Sequence, residues 1–377
     1  MKKIYKFSAP GRTEISGNQV DHQNGCVLAG AVNLQTTAEV SLNDSDIIRV
    51  NSEGYPPVEV DIKDLSARDS EKNTTAALVR GVAAAFLRRG CVLSGFDARV
   101  SSTVLPGSGL SSSAAFEVLM GTICNELFFD KRLTPVEIAQ IGQWAENVYF
   151  GKPCGLMDQM ASAVGGMVFI DFADSDKPVV ERLDFDFSAA GHALCIIDSG
   201  ADHADMTGEY AAVPGELREL SALYGKSVLR EVPEEEFFST LSEVRHRVPD
   251  RAVLRAFHFY QENDRVRRQA AALRNNDFDA FLRLVNESGR SSWMYMQNVI
   301  PAGAVEHQDM AVALALCNAL LKGRGGSRVH GGGFAGTVQA FVPLDMLDEF
   351  KRGIEAVLGE GSCHVLSIRS EGSGLIE

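Results

Sequence analysis

The 377-residue chain is short of positive charge: 36 lysines and arginines stand against 50 aspartates and glutamates, a formal net charge of -14 at pH 7. That balance argues against non-specific attachment to nucleic acid or to an anionic membrane surface. It does not exclude a local phosphate site, because helix ends and backbone N–H groups act at short range whatever the total charge. Paired cysteine motifs are missing too. The seven cysteines (26, 91, 124, 154, 195, 317 and 363) are odd in number and show no C-x-x-C spacing. Neither a disulfide framework nor a zinc site is indicated, and reduced thiols in a cytosol are the expectation. No long apolar region follows the lysines of MKKIYKFSAPGR, so this stretch does not read as a secretory signal. The longest apolar segment, AVALALCNALL (311–321), falls short of the roughly 20 residues a helical span needs and reads as a core helix. The expectation is a soluble, cytoplasmic protein without internal repeats or low-complexity linkers.

Beyond these gaps the composition is ordinary: 45% hydrophobic and 23% charged residues suit a globular chain of about two domains. KIYKFSA, TTAEVSL, IIRVNS and VEVDI read as strands. TTAALVRGVAAAFLRRG (74–90) carries helical spacing with a glycine stop, and TPVEIAQIGQWAENVYF (134–150) begins with Thr134 as N-cap and Pro135 at the first helical position. GFDARVSSTV, GMVFIDF, HALCIIDSG and TVQAFVP alternate as strands, and 255–289 reads as one long helix. A boundary near 190 gives an N-terminal domain 1–190 and a C-terminal domain 191–377.

Four stretches could carry chemistry, each with a plain structural alternative. In PGSGLSSSAAFEVLM (106–120), small residues and three serines lead into a helix whose free N–H groups suit an anion. The stretch is neither G-x-x-x-x-G-K-[ST] nor G-x-G-x-x-G. A serine N-cap is the plain alternative, but three serines exceed what a cap needs, and hydroxyls there can reach phosphate or Mg²⁺. In SAPGRTEISGNQVDHQNG (8–25), a short strand leads to a Pro-Gly turn, then Arg12, then a glycine-bounded polar turn; a surface ion pair is the default for such an arginine. In KPCGLMDQMASAVGG (152–166), Asp158 lies among small and apolar residues, where a carboxylate needs a partner or a role. In HGGGFAG (330–336), three glycines either turn a corner or let backbone approach a ligand.

Together and in this order, PGR…SGNQVDHQNG, PGSGLSSSAAFE, GLMDQ and SRVHGGGFAG resemble the motifs of the GHMP small-molecule kinases, and within that superfamily the galactokinase family of sugar 1-kinases. The resemblance runs over nearly the whole chain and includes AENVYFGKPCGLMDQ and DSGADHADMTGEY. It implies an α+β fold with an N-terminal domain like domain 2 of ribosomal protein S5 and a ferredoxin-like C-terminal domain. It also implies a reaction in which ATP phosphorylates the C1 hydroxyl of galactose or a related sugar, with Mg²⁺ as cofactor. By the same resemblance, Gly107, Ser108, Gly109, Leu110, Ser111, Ser112 and Ser113 would cradle the phosphates. Ser113 and Glu146 would reach Mg²⁺. Asp158 would take or orient the sugar's proton, and Arg12 would keep Asp158 ionised and offset charge on the moving phosphoryl group. Asn18, Gln19, Asp21, Gly155, Asp158 and Tyr210 would meet the sugar, with Gly331, Gly332 and Gly333 as the glycine loop. The partners implied are MgATP and a small sugar; the oligomeric state stays open.

The chain also departs from the family. Where galactokinases write G-E-H-x-D-Y, it has Gly17-Asn18-Gln19-Val20-Asp21-His22. Amides replace a carboxylate and an imidazole, which raises an alternative substrate altered at C6, such as galacturonate. His330 stands in place of the usual Thr, Ala335 interrupts the glycine run, and AAVPGELREL follows Tyr210 in place of an Arg-rich segment. A non-catalytic ATP- and sugar-binding sensor is a further alternative. An esterase built on HGGGF would need G-x-S-x-G, which is absent.

Overall fold

The computed structural model describes residues 3–104, 109–152, 154–200, 206–334 and 336–376. The chain divides into two compact units: Met1–Thr13, Gly30–Gly166 and Ile368–Glu377 form the first, and Glu14–Ala29 with Met167–Ser367 the second. The sequence places its division at 190, whereas the chain changes unit four times. The reason is local: two long strands, β1 (Tyr5–Ser16) and β2 (Cys26–Leu42), contribute residues to both.

The first unit adds β3 (Ile47–Ser52), β4 (Val58–Asp61), helix α1 (Thr75–Arg88), β5 (Phe96–Ser102) and helices α2 (Ser112–Phe128), α3 (Pro135–Ala145) and α4 (Met157–Val164). α1 and α3 start where capping chemistry puts them. Thr74 accepts from Ala77 N, and Thr134 forms a capping box with Glu137 just ahead of Pro135. α2 is buried from Ala114 through Asn125, so its apolar run is core on every side. PGR does not form the expected turn, since Pro10, Gly11 and Arg12 all lie inside β1. Arg12 N donates to Leu110 O at 3.0 Å, a long-range bond that holds this segment extended.

The second unit contains β6 (Met167–Asp171), β7 (Val179–Leu183), β8 (His192–Asp198) and α5 (Thr207–Ala222), which has Pro214 inside it. Two short helices, α6 (Glu234–Ser239) and α7 (Leu241–Val244), precede α8 (Asp250–Arg274) and α9 (Phe278–Ser291). The single helix expected over 255–289 is thus two. Asn276 turns left-handed (φ 53°), and Asp277 caps α9 by accepting from Ala280 N. There follow α10 (Asp309–Leu321), β9 (Gly326–His330), β10 (Thr337–Pro343), α11 (Leu347–Leu358) and β11 (Cys363–Leu366). The antiparallel sheet β11-β8-β10-β9 packs its apolar face, including Cys195, Ile197, Val338 and Ala340, on Leu314 and Cys317 of α10 and on Phe350 and Ile354 of α11. AVALALCNALL is therefore a core helix, on which Val312 is the one large apolar side chain left well exposed. All seven cysteines are free, and among the described residues no helix is long and apolar enough to cross a membrane.

The chain ends back in the first unit, where β12 (Gly374–Leu375) pairs with β1 and completes the order β12-β1-β2-β5-β3-β4. Gly165 makes this return possible: at φ +74° a Cβ there would lie 2.1 Å from Gly372 N. Gly165→Ala adds a steric clash to an unfavourable left-handed backbone. It should cost about 2 kcal/mol or more, read as a lower denaturant midpoint; an unchanged midpoint would contradict this packing.

Candidate active site

In the first unit, β1 carries Arg12 to the mouth of α2 and the start of α4. Its guanidinium grips Asp158 with both arms, Nε to Oδ1 and Nη2 to Oδ2, each at 2.6 Å. Its third nitrogen, Nη1, donates to Gly109 O. Such a forked pair fixes the plane of the carboxylate as well as its charge. Ser111 stands at the N-cap position of α2, but it sits left-handed (φ 56°) and its side chain makes no cap bond. Its hydroxyl instead donates to Asp158. Burial pushes the Asp158 carboxyl up, but the charge and hydrogen bonds of Arg12, with Ser111, outweigh it and hold the group below its ordinary value. The result is an ionised carboxylate beside a helix mouth.

One turn away, Ser113 Oγ donates to Glu146 Oε1 at 3.4 Å, and the Lys152 ammonium lies 3.5 Å from the same oxygen. Glu146 is 3% exposed and opens a turn of π-helix, Glu146–Phe150, at the end of α3, an irregularity typical of functional sites. A hydroxyl and one carboxylate oxygen are hard donors that suit Mg²⁺, which keeps most of its coordination for phosphate and water. Among the described residues no cluster of three or more His, Cys, Asp or Glu could enclose a metal by itself. Ser112 begins α2, and Gly155 lies in the loop before α4. Gly107 and Ser108 lie outside the described residues.

In the second unit, the glycine loop and the polar turn meet. Asn18 is fully buried, and its amide is fully used. Nδ2 donates to Gly331 O (2.6 Å) and Glu14 Oε1 (3.2 Å), while Oδ1 accepts from Asn298 Nδ2 (2.8 Å) and Ser292 Oγ (3.4 Å). Gln19 donates through Nε2 to Gly332 O at 3.0 Å, and its Oε1 lies 3.2 Å from His22 Nε2. Burial first, then the charge of Arg218, push His22 down to about 4. The imidazole is therefore neutral at pH 7, with Nε2 carrying the proton toward Gln19. Gln19 keeps its second amide hydrogen without a partner among the described residues, unlike Asn18.

Tyr210 on α5 donates to Gly333 O at 3.1 Å, and a Cβ on Gly332 would come within 2.6 Å of its ring. Asp21 Oδ1 accepts from His22 N at 2.9 Å. His330, the departure before the glycines, is 1% exposed; it accepts from Glu14 N at 3.2 Å and pairs with Thr337 Oγ1 at 2.8 Å. Ala335 lies outside the described residues.

The structure thus brings Arg12, Gly109, Leu110, Ser111, Ser113, Glu146 and Asp158 together in one unit, and Asn18, Gln19, Tyr210 and the three glycines in the other. Sequence reasoning missed their supports. Glu14 is held by Arg328 (2.8 Å), and Glu262 accepts from Gly17 N (3.3 Å) and Ser288 Oγ (2.7 Å). Burial raises Glu262, but Arg265, His258 and Arg328 bring it down to about 2. Gln159 and Glu117 are likewise buried beside Glu146. Glu117 follows Ser113 by four residues, a helical spacing that could have flagged it.

Residues 77–166 match the profile described as GHMP kinases N terminal domain, and residues 2–42 match the Galactokinase galactose-binding signature. The galactokinase of Streptomyces coelicolor is 33% identical over 93% of this chain and 87% of its own length. That of Glaesserella parasuis is 31% identical over 91% and 86%. A crystal structure of Lactococcus lactis galactokinase complexed with galactose superimposes with a TM-score of 0.83 at 24% identity, covering 98% of this chain and 95% of that one. The likeness in fold agrees with the expected GHMP kinase architecture.

The Arg12–Asp158 contact has a pH signature. A depressed carboxyl contributes stability above its unfolded value, about 4, and loses it as pH falls through the lower folded value. Arg12→Met should cost about 2–4 kcal/mol at pH 7, toward the low end because the Asp158 side chain is 28% exposed. In urea melts the gap between wild type and variant should close below pH 4; a gap independent of pH would contradict the pairing.

Proposed function

The chain belongs to the galactokinase family, and from that premise we propose that it transfers the terminal phosphoryl group of ATP to the C1 hydroxyl of galactose. The observation that carries this reading is the Asp158 carboxylate, gripped by Arg12 and touched by Ser111 at the mouth of α2. Phosphoryl transfer needs little covalent help; it needs alignment and a place for charge.

Asp158, ionised at neutral pH, accepts the hydrogen bond of the anomeric hydroxyl and points its oxygen toward the phosphorus. Arg12 keeps Asp158 charged and offsets negative charge on the transferring group. The backbone of Gly109 and Leu110, with Ser111, Ser112 and Ser113 at the start of α2, receives the phosphates. Gly107 and Ser108 are assigned to the same cradle by family likeness. Ser113 and Glu146 supply the oxygens for Mg²⁺, which when bound neutralises phosphate charge. On the sugar side, Asp21, Gln19, Tyr210 and Gly155 are assigned to hydroxyl recognition. Asn18, whose hydrogen-bonding capacity is spent on Gly331, Glu14, Asn298 and Ser292, acts by holding the glycine loop.

That last point bears on the substrate. Asn18 Nδ2 faces two acceptors, the Glu14 carboxylate and Gly331 O. A glutamate at this position would meet both with oxygen and be repelled. The amide is explained by its protein neighbours, so galactose with its ordinary C6 hydroxyl is favoured over a C6 carboxylate. The catalytic pair and the Ser113–Glu146 couple favour turnover over a silent sensor.

ADP release should therefore show the highest kcat/KM with galactose in a panel including N-acetylgalactosamine, arabinose, glucuronate and galacturonate; preference for a uronate would overturn the substrate assignment. Asp158→Asn should lower kcat by about 10²–10⁴-fold while MgATP binding, followed by calorimetry, stays within a few fold. Unchanged turnover would remove Asp158 from the mechanism.

A further inference from the structure

Behind the Ser113–Glu146 couple lies a contact that the roles above do not use. Gln159 is fully buried, and its Nε2 donates to Glu146 Oε2 and to Glu117 Oε2, both at 2.9 Å. The two amide hydrogens are thereby divided between two carboxylates. Glu117 is fully buried on α2, and neither its Oε1 nor Gln159 Oε1 has a hydrogen-bond partner among the described residues. Burial first, then the charge of Glu146, push the Glu117 carboxyl well up, and the amide stands between the two carboxyl groups as a donor to both. With Oε2 of Glu146 held from behind, its Oε1 is the oxygen turned toward Ser113 Oγ.

We propose that Gln159 is a positioning residue for the divalent cation: its amide, oriented by Glu117, fixes the Glu146 carboxylate so that Oε1 faces the ion beside Ser113. This rests on the reading of Ser113 and Glu146 as cation ligands. Outer-shell groups of this kind set ligand orientation and weigh heavily on metal affinity. Gly142 on α3 marks how tightly the device is packed. A Cβ there would lie 3.2 Å from Gln159 Cγ and from Glu117 Cβ, and 3.3 Å from Glu117 Oε2. Alanine ordinarily stabilises a helix relative to glycine; here it presses on both members of the contact.

The test is Mn²⁺ binding in the presence of a non-hydrolysable ATP analogue, followed by electron paramagnetic resonance, alongside kcat and the apparent KM for Mg²⁺. Gln159→Met keeps the length of the side chain and removes the donors. It should weaken Mn²⁺ about tenfold or more and raise the Mg²⁺ KM, leave metal-free nucleotide affinity within about twofold, and recover most of kcat at saturating Mg²⁺. Gln159→Glu, which removes the donors and adds an acceptor, should be at least as impaired. Gly142→Ala serves as the second probe if Gln159→Met fails to fold, and should weaken Mn²⁺ several-fold without lowering the melting temperature. Glu146→Ala is the control. Loss of Mn²⁺ affinity in Glu146→Ala together with unchanged affinity in the Gln159 and Gly142 variants overturns the positioning role alone. Unchanged affinity in Glu146→Ala overturns the ligand reading beneath it, and the positioning role with it.

Discussion

Arg12 and Asp158 are 146 positions apart in sequence, and the forked contact between them is what the site in the first unit depends on. It is costly to assemble. A carboxylate placed among apolar neighbours favours its neutral form, and only a charged partner with good geometry reverses that preference. The same guanidinium also binds Gly109 O, so one side chain ties the carboxylate to the loop ahead of α2. Ser111 is held left-handed at that point, an unusual backbone state for serine, with its hydroxyl turned to the carboxylate instead of to its own helix. Strain, burial and charge are all concentrated around one ionised oxygen pair.

A second constraint shapes the other unit: buried polar groups must find partners. Asn18, Glu14, Arg328, Asn298 and the carbonyls of Gly331 and Gly332 bond to one another in a connected set, in which Asn298 Oδ1 alone is left without a partner among the described residues, with Glu262 holding the backbone at Gly17. Each member limits what its neighbours can be. The departures of the sugar turn from the family pattern are read most economically in those terms, because a donor is required where Asn18 meets two acceptors. The unusual His330 fits the same logic, accepting from Glu14 N and pairing with Thr337.

Much of this was legible in the sequence, and unevenly so. Thr134-Pro135 announced its helix because capping is local chemistry, readable over four residues. The serine run, Arg12 and Asp158 were legible as a constellation and weak one by one. Pro10-Gly11 misled, since composition suggests a turn while a distant carbonyl, Leu110 O, holds the segment extended. The break between α8 and α9 was written in Asn275-Asn276-Asp277, though helical spacing on either side masked it. Gln159 had no signal beyond its place next to Asp158. A neutral amide gains meaning only when two carboxylates from other helices close on it.

The excess of acidic residues is no obstacle to a triphosphate ligand, because the groups assigned to receive it act over a few ångströms: helix N–H groups, serine hydroxyls and one arginine. The claim at the centre is chemical: the oxygen presented by Asp158 is the sugar's C1 hydroxyl. The most direct measurement is NMR of the product formed from MgATP and galactose labelled with ¹³C at C1. The account expects galactose 1-phosphate, seen as phosphorus coupling on the anomeric carbon, with one ADP formed per sugar phosphate. Phosphorus coupling at another carbon, or orthophosphate released while the galactose stays unchanged, would contradict it.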